Sequence, residues 1–221
     1  MSGGWLRPAV FGAMDGLVTN VSLIAGVSGG NASSQAIVLT GLAGLAAGAF
    51  SMAAGEYVSV SSQNELIHAE VDKERLELER NPAFEQAELA GMLRARGVSA
   101  ATARQAAAEI SAQPDKALAV HALEELGVDP GDLPSPFVAA GASLASFAVG
   151  ALIPLIPYLA GLHLLALALT LAAVAAVAGG GTVARLTDRP FWRGALRQLV
   201  LGAVAAGITY LIGIGIGHAM S

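Results

Sequence analysis

Glu70, Glu74 and Glu77 are spaced i, i+4, i+7, which on a helix stacks them along one stripe, and Glu85 and Glu88, spaced i, i+3, form a second carboxylate pair. Glu124 and Glu125 follow close behind His121. Oxygen donors in this number, with an imidazole among them, suit hard or borderline divalent ions such as Mn2+ and Fe2+, and the nitrogen tilts the set toward transition metals. The same spacing also describes an ordinary solvated acidic face, with Glu70 beside Lys73 and Glu77 near Arg80. A different chemistry is raised by Asp15, which stands in FGAMDGLVTNVSLIAGVSGG (residues 11–30), a stretch apolar enough to enter a membrane and without a basic residue. An ionised carboxylate in hydrocarbon costs about 2.5 kcal/mol even on the mildest scale, so Asp15 is expected to face a bundle interior or a wet path. A structural aspartate bonded to the hydroxyls and amides around it is the alternative.

The segments that must carry these groups follow from composition. With 54% hydrophobic residues, 13% charged, 27 glycines and a mean hydropathy of +0.61 over 221 residues, the chain reads as a membrane protein. It has no cysteine, which excludes disulfides, thiolate zinc sites and cysteine nucleophiles. Five stretches have the length that spans a bilayer, at about 8–28, 36–59, 136–158, 161–183 and 196–218. The first has only Arg7 ahead of it and no small-residue cleavage site, so it reads as a mature helix and not a signal peptide. The third and fourth are joined by YLAGLH, a tight hairpin. Between the second and third lies a polar segment holding 14 of the 17 acidic and 7 of the 12 basic residues. With five spans, all 12 basic residues fall on one side of the membrane. The positive-inside rule then places the N-terminus and the acidic segment in the cytoplasm and the C-terminal GHAMS outside.

The polar segment reads as helices. The first runs on from the second span to Asn81-Pro82, where Asn81 is a candidate N-cap and Pro82 a first-turn proline opening a second helix to Gly97. Ser99 caps a third, to about Ala112, and Pro114 opens a fourth that ends near Gly127. The expected fold is an all-α integral membrane protein. Residues 1–60 form spans one and two, 61–133 a cytoplasmic acidic helical metal-binding domain inserted between spans two and three, and 134–221 spans three to five.

DGLVTNVSLIAGVSGG in the first span, SMAAGEYVSVSSQNE in the second, and the ERLE…PAFEQAEL pattern with its 11-residue offset from Glu74 to Glu85 and Glu77 to Glu88 together resemble the vacuolar iron transporter family. The resemblance covers the whole chain in order. It implies a homodimer that moves Fe2+, with Mn2+ often accepted, out of the cytosol in exchange for protons. It also implies metal ligands at Glu74, Glu77, Glu85, Glu88 and Glu125, and a membrane pathway through Asp15 and Met52. Where some relatives carry two methionines ahead of the last glutamate, this chain has His121 and Ala122, which removes soft thioether ligation. Glu56, one turn from Met52, is at a similar depth and lines the same entrance or faces headgroups; Met14, Thr19 and Asn20 add weaker contacts.

Other motifs carry less. ELIH, Glu65 to His68, is half of a di-iron signature that requires two such motifs. His163 and His218 fall on the external side. Glycine pairs at 12 and 16, 44 and 48, and 213 and 217 permit close helix packing, inside the chain or across a dimer. No phosphate loop or nucleotide motif is present, so the expected energy source is an ion gradient. The expectation is a multi-pass transporter, not an enzyme, in a bacterial inner (plasma) membrane, with no permanently bound cofactor, no nucleic-acid partner, and Fe2+, Mn2+ and H+ as its ions. The metal ligands are expected among Glu70, Glu74, Glu77, Glu85, Glu88, His121 and Glu125, and the path at Asp15, Met52 and Glu56. The competing reading is a membrane-anchored iron store or di-iron oxidase built on the acidic bundle.

Overall fold

The computed structural model describes residues 4–220; the terminal Ser221, assigned above to the external side, lies outside them. Every regular element among the described residues is helical: α1 (Leu6–Gly29), α2 (Ser34–Arg80), α3 (Pro82–Ala95), α4 (Ala100–Ser111), α5 (Pro114–His121), α6 (Pro136–Leu152), α7 (Ile156–Leu159), α8 (Leu165–Leu186) and α9 (Phe191–Met220). The chain divides into two compact units, one of residues 4–58 with 136–220 and the other Ser59–Ser135.

In the first unit five helical spans are long and apolar enough to cross a bilayer, and the chain is a multi-pass membrane protein. Their order follows from where glycine lets backbones meet. α1 packs against α6, α8 and α9. A Cβ at Gly16 would run into the carbonyl of Phe147 on α6, and one at Gly213 of α9 into the carbonyl of Gly26 on α1. Gly44 and Gly48 of α2 instead receive the side chains of Leu23 and Phe147. All three glycine pairs singled out in the sequence are thus occupied by packing within the chain. Leu17, Val21 and Ala25 of α1 close on Ala172 and Ala176 of α8 and Ala206 of α9 to form the largest core cluster.

The third span is not the continuous helix expected over 136–158. α6 ends at Leu152, a 3-10 turn covers Ile153–Leu155, and α7 resumes for one turn. Pro154 and Pro157 have no N–H to give the ladder, which is the cause of the break. The amide of Asn20, fully buried on α1, donates to the Ala151 carbonyl at 2.5 Å beside this interruption. α8 begins at Leu165, later than expected, because Gly161 takes a φ of 78° and the chain turns before it can wind. α9 begins at Phe191, earlier than the apolar stretch, since its arginine-bearing first turns are helical although not apolar.

In the second unit, the end of α2 is followed by three further helices. Asn81 occupies the N-cap position of α3 but its side chain makes no capping bond, whereas Ser99 accepts from the Thr102 N–H at 3.3 Å, as an N-cap serine should. Gly97 and Gly127 stop their helices with φ of 93° and 68°. Leu89, Ala90 and Ala107 form the core, with Leu93, Ile110 and Val120 around them. The last helix departs from expectation: after His121 it widens into a π turn, Ala122–Leu126.

Candidate metal centre

Three segments of the second unit converge on His121. The ring is fully buried, and its Nδ1 lies 2.9 Å from Glu74 Oε1, 3.1 Å from Glu125 Oε1 and 4.0 Å from Glu85 Oε2. α2 supplies Glu74, α3 supplies Glu85, and the π turn supplies Glu125. Glu74 and Glu85 are themselves buried. One ring nitrogen holds at most one proton, so it satisfies at most one of the three carboxylates. Glu74 Oε1 is close to Nδ1 but out of line for a hydrogen bond, and neither it nor His121 Nε2 has a hydrogen-bond partner among the described residues. Buried polar atoms normally find partners, so these unmatched ones mark a site built for something else.

The electrostatics agree with the geometry. Burial, and next the charge of Glu125, push the Glu74 carboxyl up to about 7, with Glu85 and Glu77 adding to the rise and His121 opposing it. Glu85 is raised for a similar reason, burial first and then Glu88, again opposed by His121. Anions held at this separation in a low-dielectric pocket need protons or a cation between them. One donor atom each from Glu74, His121 and Glu125 lie within 4.8 Å of one another, a spacing from which three ligands can close on a single divalent ion.

Not every acidic residue flagged by spacing joins this group. Glu77 and Glu88 are exposed, though near enough to act on the buried carboxylates. Glu70 is exposed and engaged with Lys73 at 2.6 Å. The adjacent pair is divided: Glu125 turns to His121, while Glu124 pairs with Arg96 at 2.9 Å. Sequence spacing left the two equivalent, and in the folded chain they point to different partners. It also gave His121 no special place, although all the donors meet there.

In the membrane unit Asp15, Met52 and Glu56 are each partly buried. Asp15 makes no hydrogen bond or ion pair with any described residue. Met52 packs beside the Ala49, Phe147 and Ala151 cluster. A cleft of about 590 Å³ in this unit is lined by apolar groups such as Leu17, Val21, Leu169 and Leu199, with Tyr210 its one polar side chain. It touches none of these three residues and offers an ion nothing to bind. His218 Nδ1 lies 2.8 Å from the Ile214 carbonyl, and the His163 ring lies beside Tyr158.

Comparison with known proteins identifies the family. A family model described as the VIT family matches residues 6–214. A vacuolar iron transporter of Acanthamoeba castellanii is 39% identical over 224 residues, covering 96% of this chain and 78% of that protein. In Oryza sativa subsp. japonica, vacuolar iron transporter 2 is 30% identical, over 95% of this chain and 86% of that protein, and vacuolar iron transporter homolog 1 is 36% identical, over 93% and 71%. With a match of this extent, and relatives covered over most of their own length, the chain belongs to the VIT family, a family of transporters and not of enzymes.

Proposed function

We propose that this protein exports divalent transition-metal ions from the cytosol, Fe2+ and also Mn2+, in exchange for protons. The observation that carries the reading is the meeting of the buried Glu74, Glu85 and His121 with the more exposed Glu125: one donor atom each from Glu74, His121 and Glu125 lie within 4.8 Å of one another, and Glu74 Oε1 has no hydrogen-bond partner among the described residues. The relatives' names supply the ion: they are vacuolar iron transporters. Glu77 and Glu88 add negative charge around the group, and Glu70 stays with its lysine. A carboxyl raised to about 7 is partly protonated in the cytosol, so a metal arriving at Glu74 displaces a proton.

The unit Ser59–Ser135 is then a cytoplasmic metal-collecting domain, and Asp15 and Met52, with Glu56 at the entrance, carry the ion through the membrane unit. Asp15 alternates between metal and proton, which gives exchange without a nucleotide. The working form is a homodimer in a bacterial plasma membrane, its N-terminus inside and its C-terminus outside. A store or an oxidase needs its spans only as an anchor, and a partnerless intramembrane carboxylate has no use in an anchor.

The test is uptake of Fe2+ and Mn2+ into proteoliposomes with and without an imposed pH gradient. Gradient-driven flux is expected in the parent protein and at most about 1% of it in Asp15→Asn, which keeps shape but loses charge and titratable proton, while metal binding by the acidic domain is unchanged. Flux independent of the gradient would remove the antiport, and parent-like flux in Asp15→Asn would remove Asp15 from the path.

A further inference from the structure

The corner where α8 hands over to α9 concentrates positive charge that the transport reading does not use. Arg185, Arg189, Arg193 and Arg197 are all exposed, and none makes an ion pair or side-chain hydrogen bond with any described residue. The only acid among residues 185–197 is Asp188, in the turn itself with a φ of 52°.

Packing holds this corner together. A Cβ on Gly194 would meet the Gly180 backbone, one on Gly180 the Gly194 backbone, and the Phe191 ring lies over Gly181. The last turns of α8 and the first turns of α9 are therefore in contact, and their side chains form one surface. The Arg185 guanidinium sits 5.5 Å from the Phe191 ring centre and the Arg193 guanidinium 5.4 Å from that of Trp192. Rings and cations thus alternate across the corner. Cation–π contact orients a guanidinium without using up its N–H donors, which remain for an oxyanion.

The surroundings specify what kind of anion. Trp192 is 60% exposed, and Leu186 at the end of α8 and Leu196 and Val200 in the first turns of α9 are exposed as well. The corner ends two bilayer-spanning helices, the depth at which tryptophan sits among lipid headgroups. A partner that satisfies both the arginines and this apolar skirt carries a phosphate on hydrocarbon chains. We propose that Arg185, Arg189, Arg193 and Arg197, grouped around Trp192, form a binding surface for the headgroup of an anionic phospholipid. A free inorganic anion would match the charge and leave the skirt uncovered.

Trp5 and Trp192 are the two tryptophans of the chain, so Trp5→Phe makes Trp192 the sole reporter. That protein is reconstituted into phosphatidylcholine vesicles doped with either phosphatidylglycerol or phosphatidylcholine brominated on the chain near the glycerol. Brominated phosphatidylglycerol is expected to half-quench Trp192 at a mole fraction about fivefold or more below that of its phosphatidylcholine counterpart, roughly the attraction of a single arginine at an anionic surface. Substituting all four arginines by glutamine should bring the two curves together. Should that variant not reconstitute, raising salt to 1 M on the parent shortens the screening length from about 10 Å to about 3 Å and should do the same. Equal quenching by both lipids in the parent overturns the proposal, as does a preference that survives the substitutions or the salt.

Discussion

Replacing Glu74 by glutamine should make the metal-free protein more stable at neutral pH while loosening its hold on metal. The carboxyl of Glu74 rises from 4.5 to about 7 on folding. Between those values the folded protein keeps a proton that the unfolded chain has lost, so stability is highest at the acid end and falls as pH rises through the window. A shift of this size amounts to about 3 kcal/mol once the group is fully ionised. Between pH 5.5 and pH 8 it amounts to about 2 kcal/mol, roughly a 30-fold change in the opening equilibrium of the acidic unit. Glutamine has the same shape and never ionises, so the mutant should lack most of that slope. A shallower slope of the same sign remains from Glu85, also raised by burial. The assay is amide hydrogen exchange on the full-length protein in chelator, corrected for intrinsic rates and read at the buried Leu89, Ala103 and Ala107. Wild-type protection that stays flat or grows between pH 5.5 and 8 would refute the reasoning, as would a Glu74→Gln protein less protected than wild type at pH 8.

Other consequences can be checked more briefly. Gly16→Ala drives a methyl group into the Phe147 carbonyl, so α1 and α6 must part at a cost of about 1–3 kcal/mol; a clear fall in the thermal midpoint of the detergent-solubilised protein is expected, and an unchanged midpoint would contradict the packing. Orientation is read with single cysteines: Ser33→Cys should react with an impermeant maleimide on intact cells and Ser99→Cys only after lysis, and the reverse pattern would invert the proposed direction of transport.

Much of this architecture was legible because each element obeys a local rule. Apolar length located the spans, and Ser99, Gly97, Gly127, Pro82 and Pro114 marked helix ends in the acidic unit. What escaped depends on contacts between distant segments. The prolines at 154 and 157 were visible, yet composition alone scored the third span as continuous, because hydropathy is blind to a missing N–H. His121 looked like one more donor beside the glutamates. Its place at the centre of the site comes from the approach of Glu74 on α2, Glu85 on α3 and Glu125 on the π turn to one ring, which no spacing rule encodes. The glycine pairs were legible as close-packing positions but not as to partner, since a stripe of small residues is the same whether the second helix belongs to the same chain or to another.

The π turn that carries Glu124 and Glu125 has a meaning in the language of insertions and deletions. A π turn is an α-helix carrying one residue too many, and the surplus is absorbed as a bulge. Removing one residue between Ala122 and Leu126 would let the helix close as α, advance Glu125 by a third of a turn relative to His121, and pull Gly127 inward from the position where its left-handed φ ends the helix. If the residue removed is Leu123, every side chain needed at the site is still encoded, in the same order, and yet Glu125 meets the His121 ring from a different direction. Among relatives of this chain, a single-residue gap at this place in an alignment therefore separates proteins more sharply than many of the substitutions around it.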